Sequence, residues 1–323
     1  EFTPEQFKEA LLFLYDVCNY CKNNNYFLRT HLWNVTFSNG KPILIDIRDF
    51  EILKQQNWKV IFISHFREIL DSHCPIHVSK FVKNYSNIRD RLLNSNNLED
   101  IKNILIDIEL INTNNGQWSN YYKHRLDFLR NADELNEDIY NKIKNFKGGS
   151  NDPTKSINLF KYIEDIKPNS IVEMGCNSGL YTFGASKFCN VVGIDYDLNS
   201  IQEANKINTV LKTRCTFLHL DLLKPFTAYG INGAYRFPYE RFKSELLIAP
   251  AIIHHLYMAC KSTDKIIEIF SKFTHKYLLI EQIPSTVNTN KLVESIKKYG
   301  FKQLSTLNSS PKPRTWILCC KNN

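Results

Sequence analysis

Methionine, glycine and proline are scarce in this chain of 323 residues, which holds two Met, 11 Gly and 11 Pro. So little Gly and Pro excludes a collagen repeat and a Pro-rich low-complexity tract. Long apolar runs are absent as well. The longest, Leu246 to Ile253, falls far short of the ~20 residues that cross a bilayer, so a soluble protein with no membrane partner is expected. A dense block of Lys and Arg interleaved with aromatics is also lacking. Lys plus Arg total 41 against 33 Asp plus Glu, a net +8, but the cations are dispersed among Asn, Ser and Glu. The balance reads as a mildly basic solvated surface that suits an anionic small molecule, and nucleic acid is not the expected partner. The chain shows no basic stretch followed by an apolar run and a small-residue cleavage site at its start. Its nine cysteines are therefore expected to be reduced thiols in the cytoplasm. Cys18 and Cys21 form one Cys-x-x-Cys without the second pair that a tetrahedral zinc site needs.

What is present is ordinary globular material, 43% hydrophobic and 23% charged, in a length that suits one large unit or two domains. Thr3-Pro4-Glu5-Gln6 starts a helix expected through about Lys22, since Thr caps, Pro suits the first turn and acid favours the positive helix end. Trp33–Phe37 and Ile43–Ile47, separated by a Gly-containing turn, read as a small β-hairpin. From Trp58 to about Ile111 and from Trp118 to Phe146, apolar residues recur every three or four positions, which predicts helices. Lys147–Pro153 reads as a linker, so the expected domains are residues 1–150, mostly helical, and residues 151–323.

Past the linker, short apolar runs (Ser170–Glu173, Val191–Asp195, Thr216–Leu220, Leu246–Ala249, Tyr277–Glu281, Thr315–Cys319) alternate with helical patterns such as Leu198–Leu211 and Lys265–Phe273. This order predicts an α/β fold, a doubly wound and largely parallel sheet covered on both faces. Ligands of such sheets sit beyond the strand C-termini. The first run ends in Glu173-Met174-Gly175-Cys176-Asn177-Ser178-Gly179, where Gly175 and Gly179 let backbone approach a ligand and Asn177 tolerates a left-handed conformation. The second ends in Asp195, about 20 residues beyond Glu173, the usual place for a carboxylate that grips ribose hydroxyls.

The spacing departs from the G-x-G-x-x-G of dinucleotide folds and resembles motif I of Rossmann-like class I S-adenosylmethionine-dependent methyltransferases. A narrower resemblance, to the nodulation-type methyltransferases, is carried by Gly175–Gly179, Lys224-Pro225-Phe226 to Arg241, Ala251–Leu256, Ile280-Glu281, Pro313–Trp316 and the N-terminal Trp33–Phe37 with Lys41–Ile47. The resemblance implies a methyltransferase using S-adenosyl-L-methionine. Glu173 would lie near the cofactor's amino-acid end, Gly175, Cys176, Asn177, Ser178 and Gly179 along it, Asp195 and Tyr196 at its ribose, and Asp221 and Leu222 at its adenine. The N-terminal half would be a lid or acceptor platform.

Methyl transfer is an in-line displacement, so the chain must align a nucleophile and, where needed, remove its proton. His254 and His255 follow the fourth strand and Glu281 ends the fifth, which makes them the catalytic candidates. Each His can equally cap or pack the helix that starts there. A weaker resemblance, to metal-dependent methyltransferase domains of polyketide loading modules, would make His254, His255 and Gln282 ligands of one iron or manganese acting on a carboxylate or carrier-bound acyl group. The remaining alternative is a catalytically degenerate fold used for binding. Base methylation of nucleic acid is disfavoured because the fourth strand ends in Ala249-Pro250-Ala251. His31, Asn34, Asp46 and Arg48-Asp49-Phe50 loosely resemble a kinase catalytic loop, but no Asp follows His31 at the second position, Glu51 stands where Gly is required and no phosphate loop precedes them. Trp118, Tyr121 and Tyr122 are core aromatics or a lid.

Overall fold

Phe7, Ala10, Leu11, Leu14 and Cys18 recur at three and four residues and are buried along one side of a helix, α1 (Pro4–Asn23), as the sequence predicts. The computed structural model describes residues 4–28, 32–38, 41–45, 50–52, 82–83, 85–95, 97–110, 125–148, 151–224 and 237–322. The helices expected over 58–81, the hairpin turn at Asn39-Gly40, the residues His31, Asp46, Arg48 and Asp49, the segment 225–236 and the aromatics Trp118, Tyr121 and Tyr122 lie outside them. The described chain forms two compact units, Glu1–Asn114 and Asn115–Asn323. Lys147–Pro153, the expected linker, falls inside the second.

In the first unit, α1 is followed by β1 (Tyr26–Leu28), β2 (Val35–Ser38), β3 (Lys41–Leu44) and β4 (Phe50–Ile52). The expected hairpin is β2–β3, antiparallel with Phe37 opposite Pro42, and β1 pairs with β4. Proline is tolerated because β3 has a partner on only one side. Two helices, α2 (Tyr85–Asn94) and α3 (Leu98–Ile106), complete the described part. Asn97 starts α3 by accepting from Asp100 N at 2.8 Å while Asp100 accepts from Asn97 N at 3.2 Å, a reciprocal cap. The core joins α1 to Val35, Val82, Ile88, Leu92, Ile101 and Leu105.

The second unit opens with α4 (Asp127–Arg130), α5 (Glu137–Lys144) and α6 (Thr154–Ile166) and then alternates strand and helix. β5 (Ser170–Met174), α7 (Leu180–Ala185), β6 (Asn190–Asp195), α8 (Leu198–Leu211) and β7 (Cys215–His219) form its first half. α9 (Pro238–Arg241), β8 (Ser244–Ala249), α10 (Ile253–Cys260), α11 (Thr263–Phe273), β9 (Thr274–Gln282), α12 (Thr289–Lys298), β10 (Phe301–Asn308) and β11 (Thr315–Lys321) form its second. The seven strands lie in the order β10-β11-β9-β8-β5-β6-β7. β5 to β9 are parallel, and β11 runs antiparallel to both of its neighbours. This is a Rossmann-like sheet with the strand order of class I methyltransferases. The six expected strands are all present.

Side chains alternate between two cores. Ile171, Leu246, Ile248, Leu279 and Trp316 face one, with α5, α6 and α7; Val172, Leu247, Ala249, Ile280 and Ile317 face the other, with α10, α11 and α12. Burial on both faces explains why these strands read as continuous apolar runs. β10 was not expected as a strand, because it is the outermost one. Five consecutive residues, Lys302 to Thr306, are exposed, and no apolar alternation marks it.

Side chains terminate the helices as well. Asp197 caps α8 by accepting from Ser200 N, Ser262 caps α11 through Lys265 N, and Asn288 caps α12 through Lys291 N. Gly184, within α7, is a packing requirement: a Cβ there would meet Phe160 Cζ at 2.4 Å and Ile143 Cγ2 at 2.8 Å. Alanine gains up to about 1 kcal/mol of helix propensity, but overpacking a filled core costs roughly 1–3 kcal/mol. Gly184→Ala is therefore expected to lower the thermal unfolding midpoint of the second unit; an unchanged or raised midpoint would refute this packing.

Candidate active site

The direction of strand order reverses between β5 and β8, since the chain runs from β5 outward through β6 and β7 and then returns to the other side of β5. The loops leaving the C-terminal ends of β5 and β8 diverge there, which is where open α/β sheets bind ligands. The two loops nevertheless touch at one place. A Cβ on Gly175 would meet Ile252 Cδ1 at 2.7 Å, and Gly175 has φ +72°, so only glycine fits.

The loop after β5 is a run of left-handed residues, Gly175, Asn177 (φ 48°) and Gly179 (φ 87°). Gly175 N and Cys176 N donate to Ile194 O at 2.8 and 3.0 Å, and Asn177 N donates to Asp195 Oδ2 at 2.7 Å. Asp195 Oδ1 accepts from Asp197 N at 2.9 Å. The Asp195 carboxylate, which also feels the Tyr196 N–H, thus fixes the loop while keeping acceptor capacity for a further donor. Burial pushes its pKa up to about 6, against the pull of the Asp197 and Asn177 N–H groups. Glu173 is buried beneath the loop with Thr182 Oγ1 donating to it, and burial pushes its pKa up to about 8. Cys176 packs inward, its Sγ 2.9 Å from where a Cβ on Gly193 would stand, and burial raises its thiol well above the ordinary range.

At the next strand ends, Tyr196 is half exposed and its carbonyl meets His219 Nε2 at 3.0 Å. Asp221 Oδ1 accepts from Leu223 N, and the Leu222 side chain is buried in the second core, leaving its backbone at the edge.

Beside this loop lies a second group of polar residues. His254 and His255 start α10 with ring centroids 3.9 Å apart, and His254 Nδ1 is buried without a hydrogen-bond partner. Glu281, on the last turn of the pleat in β9, is fully buried. Ser309 Oγ donates to its Oε1 at 2.6 Å. Lys155 Nζ approaches Oε2 at 2.7 Å, off the hydrogen-bond direction, so that contact is an ion pair without a directed bond. Arg314 Nη1 stands 3.8 Å from Oε1. Burial, then His255 and Arg314, push the His254 pKa down to about 4, with Glu281 opposing. Burial and Arg314 also lower His255. Both rings are neutral at pH 7.

The structure brings Glu173, Asp195, His254 and Glu281 to one edge of the sheet, but it does not assemble the metal set. Gln282 follows Glu281 in an extended strand and so points to the opposite face. Its Nε2 donates to Val287 O at 3.1 Å and Thr289 Oγ1 at 2.7 Å, and its hydrogen bonds reach neither His. Among the described residues no group of three or more His, Cys, Asp or Glu could hold a metal ion. The donor set does not fit a metal centre, and no step is routed through one. Lys155, Thr182, Gly193, Ser309 and Arg314 were given no role in the sequence reading. Lys155 lies well before the glycine loop and Arg314 near the far end of the chain, so no local spacing marks them as neighbours of Glu281.

A cavity of about 560 Å3 opens at the other edge of the sheet, among Lys167, Asn169, Cys189 and Arg214, just before the strands begin. It is remote from the diverging loops. Every described cysteine is free, and no described helix is long and apolar enough to cross a membrane.

No family model and no curated protein matches the chain. Solved structures do. The N-methyltransferase NodS of Bradyrhizobium japonicum, in complex with S-adenosyl-L-homocysteine, is 10% identical over 58% of this chain and 98% of its own, with a TM-score of 0.42. The magnesium protoporphyrin IX methyltransferase ChlM of Synechocystis, with bound S-adenosylhomocysteine, is 13% identical over 64% and 96%, with a TM-score of 0.41. A TehB-like S-adenosylmethionine-dependent methyltransferase of Corynebacterium glutamicum is 13% identical over 50% and 86%, with a TM-score of 0.40. The fold assignment rests on the strand order and directions.

The lowered histidines have a stability signature. An unfolded imidazole titrates at its ordinary 6.5 and folded His254 at about 4. Between those values the unfolded chain binds the extra proton, so this contribution is full above about 6.5 and lost as pH falls toward 4. Proton NMR of the imidazole is expected to place the His254 midpoint near 4, and a midpoint at 6 or above would contradict the described burial.

Proposed function

We propose that the second unit is an S-adenosylmethionine-dependent methyltransferase acting on a small molecule, in the manner of a specialised-metabolism enzyme. The observation that carries this reading is the left-handed Gly175–Gly179 loop held by Asp195 at the reversal of strand order. A glycine turn alone is a weak signal. A glycine turn whose backbone is fixed by a carboxylate that keeps acceptor capacity at the strand end suits a nucleoside with ribose hydroxyls.

When bound, S-adenosylmethionine supplies an electrophilic methyl group on a sulfonium. In this reading Asp195 accepts from the ribose hydroxyls, with Tyr196 over the sugar. Glu173 lies under the loop at the amino-acid end, Gly175 to Gly179 present backbone along the ligand, and Asp221 and Leu222 border the adenine. His254 is the general base. Its ring is neutral at pH 7, so the nitrogen that carries no proton can take one from the acceptor as the nucleophile attacks. Glu281 stays fixed by Lys155 and Ser309 and stabilises the imidazolium that forms, while Arg314 and Lys155 disfavour it and return the proton to solvent. His255 limits the motion of the neighbouring ring. The thiol-rich chain works in the cytoplasm.

Asp195→Ala is expected to weaken S-adenosylhomocysteine binding about 10- to 100-fold in calorimetry, the worth of hydrogen bonds to a charged group. Because the ribose hydroxyls require an acceptor carboxylate, wild-type affinity is expected to fall as pH drops below about 6, the value to which burial lifts Asp195. Unchanged affinity in the variant would refute the reading.

A further inference from the structure

The β10–β11 connection is tied down far more firmly than a surface hairpin requires. Ser309 N donates to Arg314 O at 2.9 Å and Arg314 N to Pro311 O at 3.2 Å, closing the turn on itself. Ser310 Oγ donates to Asp152 O at 2.9 Å, Asn158 Nδ2 to Asn308 O at 2.7 Å and Trp316 Nε1 to Lys155 O at 3.1 Å, pinning the turn to the start of α6. The side chain this framework holds is Arg314. The side chain is 27% exposed and its guanidinium carries five N–H donors; its ion pair is with Glu281 at 3.8 Å, and it also acts electrostatically on His254 and His255. At 3.8 Å Arg314 makes no hydrogen bond to Glu281, whose carboxylate Ser309 and Lys155 approach more closely, at 2.6 and 2.7 Å. Two cations, Lys155 and Arg314, face the Glu281 carboxylate beside two neutral imidazoles.

Resting on the methyltransferase reading, we propose that Arg314, backed by Lys155, is an anion seat that anchors a carboxylate or phosphate group of the methyl acceptor beside His254. A planar guanidinium with unsatisfied donors matches either group in a bidentate manner, and the pinned turn fixes the backbone from which it projects. Seating the anion at Arg314 places the adjoining part of the acceptor near the neutral His254 ring, whose charge Arg314 already influences. The seat thus selects acidic acceptors and orients the nucleophile. It also gives the net positive charge of the chain a local purpose.

The full chain, labelled with 15N-arginine, can be titrated at constant ionic strength with acetate and with inorganic phosphate while the Nε–Hε signals are followed by NMR. One signal, missing from the Arg314→Gln spectrum, is expected to shift saturably, and Arg314→Gln is expected to weaken anion binding at least about tenfold. Arg314→Lys, which keeps the charge and tests for misfolding, is expected to retain partial phosphate binding. No saturable shift, or the same shift in Arg314→Gln, overturns the proposal. The α-carboxylate of the cofactor is the other source of such a group. If Arg314→Gln weakens S-adenosylhomocysteine but not 5′-methylthioadenosine, which lacks that carboxylate, the seat belongs to the cofactor and its assignment to the acceptor is overturned. Failure of wild type to bind either nucleoside would sink the methyltransferase reading, while the acetate and phosphate titrations would still report on the seat itself.

Discussion

The Asp195 carboxylate is the junction on which the candidate site depends. It closes the end of β6 through Asp197 N and, across the gap to β5, holds the turn that follows Met174 through Asn177 N. A carboxylate placed where two backbone N–H groups converge is a strong acceptor, and here it converts a glycine-containing turn into a shaped surface. The arrangement brings the loop close against β6, and glycine at position 193 makes room for it. A Cβ at Gly193 would stand 2.9 Å from both Cys176 Sγ and Thr182 Oγ1. The smallest residue therefore lets the loop and the helix after it settle onto the neighbouring strand.

The same economy of space governs the other half of the site. The side chains of Glu281 and Gln282, adjacent in β9, leave the sheet on opposite sides, and their environments differ accordingly. Glu281 becomes the centre of an ionic group with Lys155 and Arg314, while Gln282 closes the entry to α12 through Val287 and Thr289. A pair that reads as one polar patch in the chain thus serves two purposes in the fold. The charges around His254 favour a neutral ring, as does its burial, and its Nδ1 is buried without a hydrogen-bond partner.

Much of the second unit was legible in the chain because its strands are buried on both faces, so six of them appear as uninterrupted apolar runs. The turn after β5 and the acid at the end of β6 were legible too, since each depends on local backbone requirements. What escaped depends on tertiary contact or on the lack of it. β10 lies at the edge with one partner, so nothing selects for an apolar alternation along it. Lys155 and Arg314 meet only because α6 and the β10–β11 turn flank the same strand end. The helices α4 and α5 belong to the second unit because Leu129, Ile139 and Ile143 share a core with Phe160 and Phe183, a relation that periodicity alone does not express.

β10 has one further consequence. An outermost strand offers unpaired backbone groups to any other chain with a free edge, a route to strand-to-strand association. Here the exposed stretch Lys302-Gln303-Leu304-Ser305-Thr306 is dominated by polar side chains, and the pairing slips between Gln303 and Ser305 where Leu304 is passed over. The irregularity interrupts the flat ladder that a partner strand would need, and the Lys302 charge opposes burial against another sheet. The strand that was hardest to read in the sequence is thus an edge whose own features oppose pairing with another sheet.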